Sequence, residues 1–184
     1  MHDPRVVANY MLDFAETRHL PVTNLSLQKL LFFAHAISLA EARRGLVSGF
    51  FEAWQFGPVH PLVYQCFRDC GAERIPYRAT AFNPVSRATS ELPALTDVVA
   101  QSICERVVTH LGVLTPGRLV ELTHAKGGPW DYVVSSAKER ASLGLRIPDS
   151  VIVARYSRLK VSVSETPPMG EPHEDSPFIR DRPR

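Results

Sequence analysis

The chain is short of what many functional classes require. It has three cysteines in 184 residues, an odd number with no framework spacing. That pattern argues against a disulfide scaffold and predicts reduced thiols in a cytoplasmic protein. Charge of one sign is lacking too. The net charge is +2 and the sequence pI is about 8.5, far from the basic balance of a dedicated nucleic-acid binder. No apolar run approaches the ~20 residues that span a bilayer, and the most apolar one, Leu30 to Ile37, is interrupted by His35. Met1 to Tyr10 holds Asp3 and Arg5 and no apolar stretch, so no signal peptide and no membrane association are expected.

Recognisable catalytic spacings are missing as well. There is no Gly-x-Ser-x-Gly elbow and no Walker or Rossmann glycine pattern. The acids Asp13, Glu16, Glu41, Asp69 and Glu121 fall on positions that suit solvated helix faces. His60, Cys66 and Cys70 are close in sequence, and His124 would complete a set of four. Their spacing matches no zinc pattern, and two packed thiols explain the cysteines. Gly127-Gly128 ahead of Pro129 could offer backbone donors to an anion, but a helix stop followed by a helix start accounts for both glycines. The sequence therefore predicts no cofactor, no metal and no catalytic residue.

What is present is helix signal. With 45% apolar residues the chain can bury one sizeable core, and its length suits one domain. Asp3-Pro4 caps a first helix ending near Arg18-His19. A second starts close to Asn24 and runs to Arg44, with Gly45 as its stop. Its middle is apolar nearly all round, as befits a central helix, and its polar residues gather at the ends, Gln28 and Lys29 among them. Phe50 to Phe56 reads as a short extended piece, turned at Gly57-Pro58 into a third helix over Leu62 to Cys70. Arg74 to Pro93 reads as a loop. Further helices are predicted over Leu95–Leu111, after Thr115-Pro116, from Pro129, and over Ser150–Leu159. The fold class is mainly α: a compact single-domain helical bundle with one extended element around residues 50–57. The body spans residues 1–163, and residues 164–184 form a charged, Pro-rich tail expected to be disordered. Phe178-Ile179 is the tail's one apolar pair.

Two clusters carry unusual chemistry. Ala53 to Tyr64 packs Trp54, Phe56 and Tyr64 with Pro58, Pro61 and Gly57. Thr123-His124 precedes Pro129-Trp130, where His124 suits a helix end and Trp130 suits the core. A helix-turn-helix among the first three helices is disfavoured, because the second is too apolar to face a groove. The arginines form no stripe, although Arg155, Arg158 and Lys160 make a local patch.

These clusters resemble a known family. Leu27-Gln28-Lys29-Leu30-Leu31-Phe32-Phe33-Ala34 is similar to the signature helix of Panacea-domain proteins, the SocA-like antitoxins and phage-associated GepA-like proteins. Ala53 to Val59 with Pro61 and Tyr64, then Thr123-His124 with Pro129-Trp130, and Ile147-Pro148-Asp149 resemble its later blocks, in order. Phe56 and Phe32-Phe33 depart from it, standing where tyrosines are common, which removes hydroxyl donors. The resemblance implies a small cytoplasmic antitoxin of a type II-like system. Such a protein neutralises the toxin of an adjacent gene by direct contact, and some hand the toxin to a protease. Interface chemistry then puts partner contacts at Trp54, His60, Tyr64, Arg68, His124 and Trp130. The alternatives are a small enzyme built on His60, Tyr64 and His124, or a DNA-binding autoregulator.

Overall fold

The computed structural model describes residues 1–139 and 145–159. The boundary expected at residue 163 and the tail beyond it lie outside the described residues. α1 (Pro4–Thr17) begins at Asp3, whose carboxylate accepts from the Arg5 amide, with Pro4 in the first turn. It is followed by α2 (Asn24–Glu41), capped by the Thr23 hydroxyl on the Ser26 amide. α2 is the hub: α3 (Pro61–Phe67), α4 (Val98–Leu111), α5 (Pro116–Thr123) and α7 (Asp149–Arg155) all pack on it. Leu27, Leu31, Phe32, Ala34 and Ala36 on α2 are fully buried. A helix covered on every side explains why its sequence shows no polar face. Among the described residues the fold is mainly α, with short sheets at its margins.

α2 stops three residues short of the predicted end. Arg43 takes a left-handed φ of 52°, and the Ser38 hydroxyl donates to the Arg44 carbonyl at 2.8 Å. The chain turns back there so that Leu46 and Val47 enter the core. The Val47 amide then donates to His35 Nδ1 at 3.3 Å.

The extended element is larger than its sequence suggests. β1 (Phe51–Trp54) pairs antiparallel with β2 (Gly57–Val59) on one side and, on the other, with β5 (Arg146–Ile147), a two-residue strand the sequence does not announce. The turn is therefore at Gln55-Phe56, between Trp54 and Gly57, and Gly57-Pro58 belongs to β2. Pro58 fits because β2 is an edge strand, where a missing N–H breaks no ladder. The predicted loop from Arg74 also needs correction. It holds a hairpin, β3 (Thr80–Phe82) with β4 (Thr89–Glu91). Asn9 anchors its base, accepting from the Ala79 amide and donating to the Ala79 carbonyl at 2.8 Å each. The strands are exposed and poor in bulky residues, so no burial pattern marks them.

α3 passes into a 3-10 turn over Arg68–Cys70, and α7 into one over Tyr156–Leu159. α6 (Pro129–Glu139) lies against β1, β5 and α7. β1 is the floor of this side. Phe51 is 1% exposed and meets Phe32 edge-on at 5.3 Å, a burial that contributes roughly 2–3 kcal/mol.

Candidate functional site

The motif residues converge on the corner between α2, β2 and α5. Gln28 and Lys29, polar residues at the helix end, are both 0% exposed. Each grips the corner's backbone. Gln28 Oε1 accepts from the His60 amide at 2.9 Å, and its Nε2 donates to Asn24 Oδ1 at 3.0 Å. Lys29 Nζ donates to the Pro58 carbonyl at 3.2 Å. These two bonds replace what an edge strand would otherwise leave to water.

Gly57 is the point of closest approach. Its φ is +100°, a region that L side chains rarely adopt. A Cβ there would lie 2.5 Å from Thr123 Oγ1 and 3.2 Å from Lys29 Cε. Thr123 is fully buried and its hydroxyl donates to the Val120 carbonyl at 2.8 Å, so it is held in place. The signature residues of α2, β2 and α5 thus meet within one small volume.

The aromatic side chains continue from it. Trp54 is buried, its Nε1 donating to Glu52 Oε2 at 2.8 Å and its ring meeting Tyr64 at 4.7 Å in an edge geometry. Trp130 Nε1 donates to the Trp54 carbonyl at 2.8 Å. The His124 ring stacks flat on Trp130, centroids 3.7 Å apart and planes 9° apart. Trp54, Tyr64, Trp130 and His124 form one connected run, partly open to solvent at Tyr64, His124 and Trp130.

His60 faces elsewhere. Its ring is 3% exposed, packs edge-on against Phe51 at 5.4 Å, and its Nε2 donates to the Ser48 carbonyl at 2.9 Å. Burial holds its pKa below the ordinary imidazole value. The enzyme alternative grouped His60, Tyr64 and His124 around Trp54 and Trp130; Tyr64 and His124 lie on that aromatic run, whereas His60 turns toward Phe51 and Ser48. Arg68 lies one turn beyond Tyr64, exposed, with Nη1 donating to Gln65 at 3.0 Å and Nε 3.4 Å from Asp69. Cys66 and Cys70 are half-buried free thiols, and burial pushes the Cys66 thiol up. Among the described residues, no three His, Cys, Asp or Glu side chains gather closely enough to hold a metal ion. No described helix is long and apolar enough to cross a membrane.

Sequence reasoning missed Gln28, Lys29 and Thr123 as parts of this corner. The available signal was their setting: Gln28 and Lys29 sit between Leu27 and Leu30 in a helix whose middle is apolar nearly all round.

Comparison with known proteins matches these blocks. A family model described as "Antitoxin SocA-like, Panacea domain" matches residues 27–131, which hold the Gln28-Lys29, Trp54–Tyr64, Thr123-His124 and Trp130 blocks. The protein named Antitoxin SocA of Caulobacter vibrioides (strain NA1000 / CB15N) is 43% identical over 175 residues, covering 95% of this chain and 93% of its own. No solved structure matches. By both the model and the relative, the chain belongs to the SocA-like Panacea-domain antitoxin family.

Proposed function

We propose that this protein is a cytoplasmic antitoxin that neutralises a cognate toxin, the product of an adjacent gene, by direct protein–protein contact. The observation that carries the reading is the 43% identity to a protein named an antitoxin, sustained over nearly the whole of both chains. The side chains of the corner support it, because their hydrogen bonds go to the fold. Gln28, Lys29, Trp54 and Trp130 each spend a polar atom on the backbone or side chains around them. The contact surface we assign is the outer side of α3 and its neighbours. There Leu62 (45% exposed), Tyr64 and Arg68 reach solvent, with His124 and Trp130 alongside Trp54. Tyr and Arg are among the side chains enriched in interface hot spots, and Leu62 adds exposed apolar surface beside them. Trp54 and His60 contribute from beneath, by holding β1 and the start of α3.

Co-expression with the adjacent gene's product tests the reading. The neighbour should be toxic alone, tolerated with this protein, and co-purified with it. Arg68→Ala and Tyr64→Ala should each weaken the complex by at least tenfold, about 1.4 kcal/mol. A harmless neighbour, or a toxic one that this protein neither relieves nor binds, defeats the proposal. Full affinity in both variants would keep the antitoxin and move its contact face elsewhere.

A further inference from the structure

Two features lie away from the corner. On one side α2 and α4 leave an open groove of about 410 Å³, lined by Ala42, Val98, Val99 and Ile103. Its two valines stand bare, Val98 73% exposed and Val99 50%. The other feature is held together by specific bonds. It is the loop of residues 42–50, which joins α2 to β1 with neither helix nor strand of its own.

Two buried imidazoles hold this loop. His35 on α2 accepts from the Val47 amide at Nδ1, 3.3 Å away. His60, ahead of α3, donates from Nε2 to the Ser48 carbonyl at 2.9 Å. The backbone lies so close to that ring that a Cβ on Gly49 would be 2.8 Å from Nε2. The loop's other partners are the first residues of the chain. The His2 amide donates to the Leu46 carbonyl at 2.9 Å, and the Ser48 amide donates to the His2 carbonyl at 2.8 Å. The His2 ring then reaches Asp97 at 3.2 Å, and Arg44 shares that carboxylate at 2.6 Å. Leu46 and Val47 are buried beneath this N-terminal strap.

The bond from Val47 requires a neutral His35. With Nδ1 accepting, the ring hydrogen is on Nε2, facing Asp149 Oδ1 at 3.1 Å on the first turn of α7. A proton on Nδ1 turns the acceptor into a donor and sets it against the Val47 N–H. Burial is the main force against a charge on either ring. Asp149 favours a charge on His35. On His60 the Ser48 carbonyl and Asp3, the cap of α1, favour one, and His35 opposes it. The Phe51 ring lies between the two, 5.3 Å from His35 and 5.4 Å from His60. Swinging the loop away removes both the opposed N–H and the burial of Nδ1, while Asp149 remains as counter-charge. The open loop therefore binds the proton more tightly than the closed one, and acid populates it by linkage.

We propose that residues 42–50 form an acid-released clasp: neutral His35 holds it shut through Val47, and a His35 imidazolium paired with Asp149 lets go of the loop and of the N-terminal strap. The bond from the His60 amide to Gln28 is no part of the clasp, so the start of α3 and the Tyr64–Arg68 face stay in place.

The full-length protein tests this without any toxin, so the outcome is independent of the antitoxin reading. Amide hydrogen exchange, corrected for the intrinsic rate at each pH, gives protection factors for Val47 and Ser48 and, as a measure of the whole fold, for Leu30 and Leu31. From pH 7.5 to 5.5 protection at Val47 and Ser48 should fall about tenfold further than at Leu30 and Leu31. An equal fall at all four, or none, overturns the proposal, because the loop then opens only with the whole fold or stays shut. Asp149→Asn, at a carboxylate whose side chain is 53% exposed, removes the counter-charge. It should move the opening to lower pH by about half a unit or more, and an unmoved profile overturns the proposal. Long-range 1H–15N spectra of the imidazoles give a readout that a merely structural role would not move. His35 should carry its hydrogen on Nε2 at pH 7.5 and gain the second as Val47 loses protection. A hydrogen on Nδ1 at pH 7.5, or a ring still neutral when the loop opens, overturns it as well.

Discussion

The corner at Gly57 and the groove at Val98-Val99 are opposites in how they use their side chains. At the corner, polar and even charged groups are buried and tied to the fold: Lys29 is 0% exposed with its ammonium on a backbone carbonyl. At the groove, aliphatic side chains stand in water although a core lies beneath them. The residues that give the family its signature cluster at the corner, within the matched span 27–131. The difference teaches that the signature chiefly encodes an architectural junction, in which a motif residue is valuable for what it holds. Contact chemistry has to be sought where side chains are left over.

The sharpest way to break this contrast is Gly57→Ala. The substitution must accept both a φ of +100° and a methyl 2.5 Å from a hydroxyl that is itself bonded to Val120. Backbone strain and overpacking each cost about 1–3 kcal/mol, so unfolding in urea should show a loss of roughly 3 kcal/mol or more. A loss under about 1 kcal/mol would mean that the corner yields easily and that its motif is conformationally optional.

Lys29 comes next. Lys29→Ala removes a fully buried side chain and the donor to Pro58, for an expected cost of about 2–4 kcal/mol. Lys29→Met keeps most of the volume and should lose about half as much. If Lys29→Ala leaves stability unchanged but abolishes relief of toxicity, Lys29 belongs to the contact surface and the contrast is misplaced.

This is also where the sequence was hardest to read. The helices were visible because apolar spacing and caps such as Asp3-Pro4 and Thr115-Pro116 act locally. The hub role of α2 was visible because its residues are apolar all round. β5 and the β3–β4 hairpin were not, since a two-residue strand and three-residue exposed strands carry no periodicity. The turn was placed two residues late because Gly-Pro reads as a turn locally, while sheet pairing put Gly57 and Pro58 on an edge. The burial of Lys29 is not legible in the sequence, because burial of a lysine is decided by partners distant in sequence, here Pro58.

Acidity should separate the regions by an intermediate amount. His35 and His60 flank Phe51, both buried, and burial holds both pKa values below the ordinary 6.5. His35 Nδ1 accepts from Val47, so its hydrogen is on Nε2, facing Asp149 Oδ1 at 3.1 Å. A second proton on His35 would set two N–H groups against each other. His60 Nδ1 is buried with no hydrogen-bond partner among the described residues, so a proton there would gain nothing. The unfolded state takes up these protons first. Stability is therefore full above pH 6.5 and falls as pH drops from there through the lowered folded values. Each histidine contributes a slope of at most about 1.4 kcal/mol per pH unit. Urea midpoints from pH 7.5 to 5 should show the fall, and His60→Phe should flatten it. A flat profile in the wild type would show that the imidazoles are not the buried neutral groups described.

The smallest effect is expected at the groove, and it decides whether the two regions differ in kind. Val98→Ser replaces a side chain already 73% exposed, so its transfer from water contributes little. The change in unfolding free energy should stay within about 0.5 kcal/mol. The same replacement at Val59, which is 0% exposed on β2, leaves a cavity and a buried hydroxyl, for about 2 kcal/mol or more. Denaturation of the two variants side by side measures the gap directly. If Val98→Ser costs as much as Val59→Ser, Val98 is covered in the full-length protein. If Val98→Ser is silent while Val59→Ser is costly, the groove's valines are the bare side chains described and the two regions differ in kind.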